Sequence, residues 1–247
     1  MTALLPSVGF LPYSSVLPAH LPSSSQIAWQ IGSSLVSYVI IKWGTTVWVP
    51  RVVNHYGFAY FEWKKPYLPG LLSNILIVMA QMALVHAASA GHPPLSRVFL
   101  AMMCVALYGT LRADARFQLI PDRFQALGTV GALGWVGTTC TTGSVVPWLQ
   151  AGMGLVVAGS LWAITTLYSK VRRRDGLGFG DIKLLAWLGV AMGPANLDVL
   201  AYGAAAAGLV MLPLLLFRRR QMDAAFAFGP YLVLGCVVHG FLQSLGG

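Results

Sequence analysis

Charge is what this chain of 247 residues has least of: 9% of it is Asp, Glu, Lys or Arg, against 57% hydrophobic residues, and its mean hydropathy is +0.70. A soluble domain carries roughly 25% charged residues, so the composition excludes one and points to an integral membrane protein. Cysteine is scarce too. Cys104, Cys140 and Cys236 are scattered without a CxxC pair, which excludes a disulfide framework or a cysteine zinc site read from spacing. The five histidines form no HExxH or comparable ligand pattern. Residues 1–26 hold no Lys or Arg. A secretory signal needs a basic start and a compact apolar core, so this stretch is expected to be an uncharged, irregular tail.

What charge there is favours one sign: 16 Lys and Arg against 7 Asp and Glu, a formal net charge of +9. The cations sit between apolar segments, as Arg172–Arg174, Arg218–Arg220 and Lys64 with Lys65. Cytoplasmic loops of membrane proteins carry this bias. Membrane lipid is therefore the expected partner of the basic face, and nucleic acid is not.

A spanning helix needs about 20 mostly apolar residues. By that measure the sequence predicts an all-α, polytopic membrane protein with about eight transmembrane helices, near 27–49, 70–89, 97–114, 124–141, 147–169, 181–194, 197–217 and 225–244. The sixth is short, reaching only about 21 Å at 1.5 Å per residue. It either recruits the glycines before it or sits in a thinned or protein-lined part of the membrane. With both arginine triplets in the cytoplasm, the joints near 90–96, 142–146 and 195 fall outside, as do both termini. Three regions result: the tail 1–26, a first helix with a short aromatic cytoplasmic loop over 27–69, and a membrane domain over 70–247. Arg51 to Pro69 is taken as that loop.

Seven acids are few enough to weigh singly. Glu62 lies in the loop, Asp198 opens a span where an acid suits a helix N-terminus, and Asp175 and Asp223 each follow an arginine triplet. Asp114 and Asp181 differ, because the topology puts both at the cytoplasmic border of the bilayer. An ionisable group at membrane depth costs about 2.5 to 3.5 kcal/mol even on lenient scales and usually serves function. Two carboxylates facing each other in poorly solvated surroundings hold a single proton between them. One then activates water while the other protonates a scissile carbonyl oxygen. Spacing alone leaves two other accounts open. Arg112, Arg116 and Lys183 could pair with these acids as interfacial salt bridges, and a transporter could use one acid as a proton relay.

Gly176, Gly178 and Gly180 precede Asp181 and permit close approach of another backbone; a flexible joint between helices would need no more. Ile120-Pro121-Asp122 reads as a turn with proline at a helix start, which leaves Pro121 and Asp122 as structural or supporting residues.

Three stretches resemble the type IV prepilin peptidases, a family of GxGD-type membrane aspartic proteases. Asp114 to Asp122 is similar to an aspartate followed eight residues on by the Asp of a (Leu/Ile)-Pro-Asp turn. Gly178-Phe-Gly180-Asp181-Ile-Lys183-Leu-Leu-Ala186 is similar to the GxGD motif with its Lys-Leu-Leu-Ala continuation. Phe228-Gly229-Pro230-Tyr231-Leu232 resembles the Phe-Gly-Pro-(Phe/Tyr)-Leu near the family's last helices.

The resemblance implies an endopeptidase of the bacterial inner membrane. It would cut a short basic leader from prepilin or pseudopilin precursors on the cytoplasmic side. Asp114 and Asp181 take the two catalytic places, Gly178 and Gly180 the motif glycines, and Lys183 a place of local charge support. Long members carry two CxxC pairs in the first cytoplasmic loop and also N-methylate the trimmed pilin with S-adenosylmethionine. Arg51 to Pro69 has no cysteine, which leaves no basis there for zinc and counts against the methylation. The expectation is thus cleavage without metal or cofactor. A presenilin-type protease fits less well, since its Pro-Ala-Leu motif is missing and Gly193-Pro194-Ala195-Asn196 is no substitute. From another class, a transporter or a pilus or secretion assembly protein carrying the same motif is the alternative.

Overall fold

The computed structural model describes residues 24–60, 93–140, 146–172, 177–216 and 227–246. All its regular elements are helical, with no strand among the described residues. They are α1 (Ser24–Trp43), a π turn (Gly44–Trp48), α2 (Val49–Tyr60), α3 (Pro94–Phe117), α4 (Asp122–Thr139), α5 (Val146–Arg172), α6 (Phe179–Met192), a 3-10 turn (Gly193–Ala195), α7 (Asn196–Leu216) and α8 (Gly229–Gly246).

The expected segment 70–89 and most of the expected tail lie outside the described residues. The other expected segments each fall on one of these helices. Among the described residues, three helical stretches are long and apolar enough to cross a membrane: Leu95–Ala115, Val146–Arg172 and Phe179–Pro213, with Gly229–Leu242 a shorter apolar helix. That supports a membrane protein but falls short of the eight crossings expected. α1 carries serines, glutamines and a lysine among its apolar residues, and α4 is interrupted by glycine and threonine.

The loop expected from Arg51 is corrected in its first part, because the chain stays helical through Tyr60. Val49, Val52 and Val53 follow the i, i+3, i+4 spacing of one helix face. They are buried in a cluster with Ile41 of α1, Val105 and Tyr108 of α3 and Phe124 of α4. Trp48 meets the Phe124 ring edge-on at 5.4 Å. Burial of this face holds α2 in helix where polar neighbours suggested a loop.

A second cluster surrounds α6. Leu184, Leu185, Trp187 and Leu188 pack with Met103 and Ala106 of α3, Ala132 and Val136 of α4, Ala151 and Ala158 of α5, Val199 of α7 and Leu232 of α8. The short sixth segment is therefore lined by protein along most of its length. Its closest neighbour is α5: a Cβ built on Gly154 would stand 2.0 Å from the Gly189 carbonyl oxygen. Between membrane helices, apolar side chains gain little over lipid, and small residues that let backbones approach do the packing. α5 turns Ala151, Gly154 and Ala158 inward, whereas Leu149, Val156, Ile164 and Leu167 are exposed.

Candidate active site

α3, α4, α6 and α8 bring their polar ends to one end of the bundle. α3 delivers Asp114 in its last turn before the chain leaves the helix at Gln118, whose backbone is left-handed (φ 54) and whose N–H donates to the Asp114 carbonyl at 2.8 Å. A non-glycine residue pays for that conformation, and it is what turns Leu119 and Ile120 back toward Pro121. Pro121 caps α4, its carbonyl accepting the N–H groups of Phe124 and Gln125 at 3.0 and 3.4 Å.

α6 begins with Gly178 as N-cap, and Asp181 is its third helical residue. An acid there reaches back to the backbone N–H of the cap. The Asp181 carboxylate does so, engaging the Gly178 N–H with Oδ2 lying over that glycine. Its other oxygen, Oδ1, is buried and has no hydrogen-bond partner. α8 starts at Gly229, whose N–H donates to Asp114 Oδ2 at 2.8 Å. Each carboxylate is thus held by the N-terminus of a helix, where free N–H groups and the helix dipole favour an anion.

The two acids share one neighbourhood. The Ile120 side chain lies against both Gly180, next to Asp181, and Gly229, the partner of Asp114; a Cβ on either glycine would fall 3.2 to 3.3 Å from it. Asp114 and Asp181 are 5% and 8% exposed, and the charge of Asp114 acts on Asp181. Neither carboxylate is paired with a cation among the described residues, and Oδ1 of Asp181 carries no hydrogen bond.

The supporting residues separate into two groups. Gly178 and Gly180 stand at the carboxylate, whereas Lys183 and Asp122 face away from it. Lys183 Nζ lies 2.7 Å from Asp122 Oδ1 and 4.8 Å from the centre of the Phe179 ring. Lys183, which the sequence left open as a partner of Asp114 or Asp181, thus pairs with Asp122; residues i and i+2 of a helix do not share a face. Pro121 serves the turn. Among the described residues no group of three or more His, Cys, Asp or Glu is arranged to hold a metal ion.

Three contributors carried no assigned chemistry in the sequence. Gly229 stood within the Phe-Gly-Pro motif but without a role, because its partner lies on a distant helix. Ile120 looked like an ordinary turn residue. Gln125, buried on α4, gave no local signal beyond being an amide inside an apolar run.

Comparison with known proteins follows this geometry. Residues 98–217, which include Asp114, Asp122 and Asp181, match the type IV leader peptidase family. A protein of Dickeya chrysanthemi curated as "Prepilin leader peptidase/N-methyltransferase" is 37% identical over 152 residues, covering 60% of this chain and 52% of its own. One of the same name from Dichelobacter nodosus is 31% identical over 158 residues, with 63% and 51% covered. Another, from Xanthomonas campestris pv. campestris, is 29% identical over 223 residues, with 89% and 70% covered. The chain spans about half the length of the first two. No solved structure matches it significantly.

Proposed function

We propose, from the match of residues 98–217 to the type IV leader peptidase family, that the chain is a membrane aspartic endopeptidase. It cleaves the leader from type IV prepilin or pseudopilin precursors at the cytoplasmic face of a bacterial inner membrane that it crosses several times. Asp114 and Asp181 are its catalytic pair. The observation that carries this reading is the pair itself, two buried carboxylates from different helices, each tied by one oxygen to a backbone N–H.

The chemistry follows from one shared proton. The ionised carboxylate takes a proton from water as the water oxygen attacks the scissile carbonyl carbon. The protonated one gives its proton to the carbonyl oxygen. Collapse of the tetrahedral diol breaks the C–N bond: the acid that took the water proton gives it to the departing amine, the other carboxylate takes back a proton from a diol hydroxyl, and the dyad returns to one shared proton. Gly178 is exposed and carries no side chain, which suits the approach of an extended peptide to Asp181.

Cleavage is proposed without methyl transfer and without zinc, since Arg51 to Pro69 lacks cysteine. Co-expression of a prepilin with Asp114→Asn or Asp181→Asn is expected to leave the precursor uncut. A stably inserted variant that trims at the wild-type rate would sink the dyad. Labelled S-adenosylmethionine should leave the mature pilin unlabelled; clear labelling rejects that part.

A further inference from the structure

Gln125 is a buried amide on α4, 5% exposed, and the chemistry above makes no use of it. Its Nε2 donates to the Gly180 carbonyl at 3.3 Å, and its Oε1 accepts the Trp187 indole N–H at 2.9 Å. An indole only donates and a carbonyl only accepts, so both ends of the amide are assigned by their partners and its orientation is fixed. Trp187 has no freedom to swing away. Gly128 of α4 lies flat against its ring, where a Cβ would come within 2.5 Å.

The bond lands on the peptide that joins Gly180 to Asp181. Glycine restrains its own backbone less than any other residue, and the first turn of a helix is where it frays. A carboxylate aimed from there needs an outside hold. An apolar side chain would fill the same space without burying a polar amide, which is costly to leave unpaired. We propose that Gln125 is a positioning residue: it clamps the Gly180–Asp181 peptide from α4, with Trp187 fixing the clamp, and so sets the aim of the Asp181 carboxylate. This rests on the reading of Asp181 as catalytic.

The test uses the full-length protein in detergent, with cleavage of a prepilin followed as kcat and KM beside thermal unfolding. Gln125→Leu removes the hold and strands the buried Trp187 N–H, so it lowers both kcat and the melting temperature. The double variant Gln125→Leu/Trp187→Phe removes both polar partners. Loss of a whole pair is close to neutral for stability, so the melting temperature recovers while kcat stays down about 10- to 100-fold and KM hardly moves. Recovery of kcat together with stability overturns the proposal. If the double variant does not accumulate, Trp187→Phe alone decides. It keeps a ring in place but frees the amide, and a lowered kcat at unchanged KM supports the clamp, whereas wild-type kcat overturns it. Asp181→Asn separates the two ideas. Its inactivity leaves the clamp to be judged by the other variants, and its wild-type activity removes the catalytic reading and the clamp with it.

Discussion

A methyl group added at Gly229 would stand 2.7 Å from Asp114 Oδ2, where a carboxylate oxygen and a Cβ do not coexist. What must give is the far end of a side chain, so the fold can absorb the change and the carboxylate cannot keep its bond to the Gly229 N–H. Gly229→Ala is therefore expected to cut the cleavage rate about 100-fold with little change in melting temperature; equal losses in both would point to a packing role instead. The same methyl at Gly178 meets Asp181 Oδ2 at 3.1 Å, and Gly178→Ala should slow cleavage less than Gly229→Ala does. The third acid behaves differently. Asp122 is 79% exposed in its pair with Lys183, and exposed pairs contribute about 0 to 1 kcal/mol. Asp122→Asn should keep cleavage within about threefold of wild type, since the lost pair touches neither catalytic carboxylate; inactivity like that expected of Asp114→Asn would make Asp122 part of the chemistry. Sequence marked Asp114 and Asp181 because acids at membrane depth are expensive and there were few to consider. Lys183 is two residues from Asp181 in the chain but on another face of the helix, so its partner could not be read from spacing. Gly229 was illegible because a backbone N–H has no sequence signature and its bond spans 115 residues.

α6 shows why a short, mostly apolar segment can be a secure helix. It is 14 residues long, with Asp181, Leu184, Leu185, Trp187, Leu188 and Val190 among its buried residues. The alternatives framed from the sequence were recruited glycines or a thinned or protein-lined part of the membrane; the helix takes in only Gly180 of the glycines, starting at Phe179 with Gly178 as its cap, and protein lines it. Its position depends on the crossing with α5, where a Cβ on Gly189 would meet the Gly154 carbonyl oxygen at 2.5 Å. Backbone cannot yield as a side chain can. Gly189→Ala should destabilise the protein by about 1 to 3 kcal/mol, the usual cost of overpacking, and lower cleavage with it through displacement of Asp181. Gly159→Ala on the same α5, where nothing lies within 4 Å of the added carbon, is the control and should unfold at the wild-type temperature; similar losses in both would mean that the crossing does not set the fold. Runs of about 20 mostly apolar residues made most of the described helices legible to within a few residues. α2 was missed because the basic residues from Arg51 to Lys65 marked a cytoplasmic loop, while Val49, Val52 and Val53 already held the spacing of a buried face. Nothing local told which α6 neighbour would come closest, since that depends on two glycines, one in each helix.

At the scale of the whole molecule, the two ends of the bundle are unlike. The end that holds the carboxylate pair also holds Arg112, Arg116 and Arg123 around the α3–α4 turn, Arg172 at the close of α5 and Lys183 on α6. At the other end α3 carries Arg97, buried with its guanidinium on Ser34, and α7 and α8 bring Asp198 within 3.6 Å of His239. Cations gather on the cytoplasmic side of membrane proteins, so the charge asymmetry supports the proposed orientation, with the carboxylate pair at the inner face. Two exposed acids make the orientation measurable. Asp122 marks the catalytic end and Asp198, 57% exposed, the other. With Cys104, Cys140 and Cys236 replaced by serine or alanine, a membrane-impermeant maleimide added to intact spheroplasts should label Asp198→Cys and spare Asp122→Cys. Inverted vesicles should give the reverse. Labelling of Asp122→Cys from outside would turn the dyad to the wrong face of the membrane, and a cut at the cytoplasmic border would then be impossible whatever the carboxylates do.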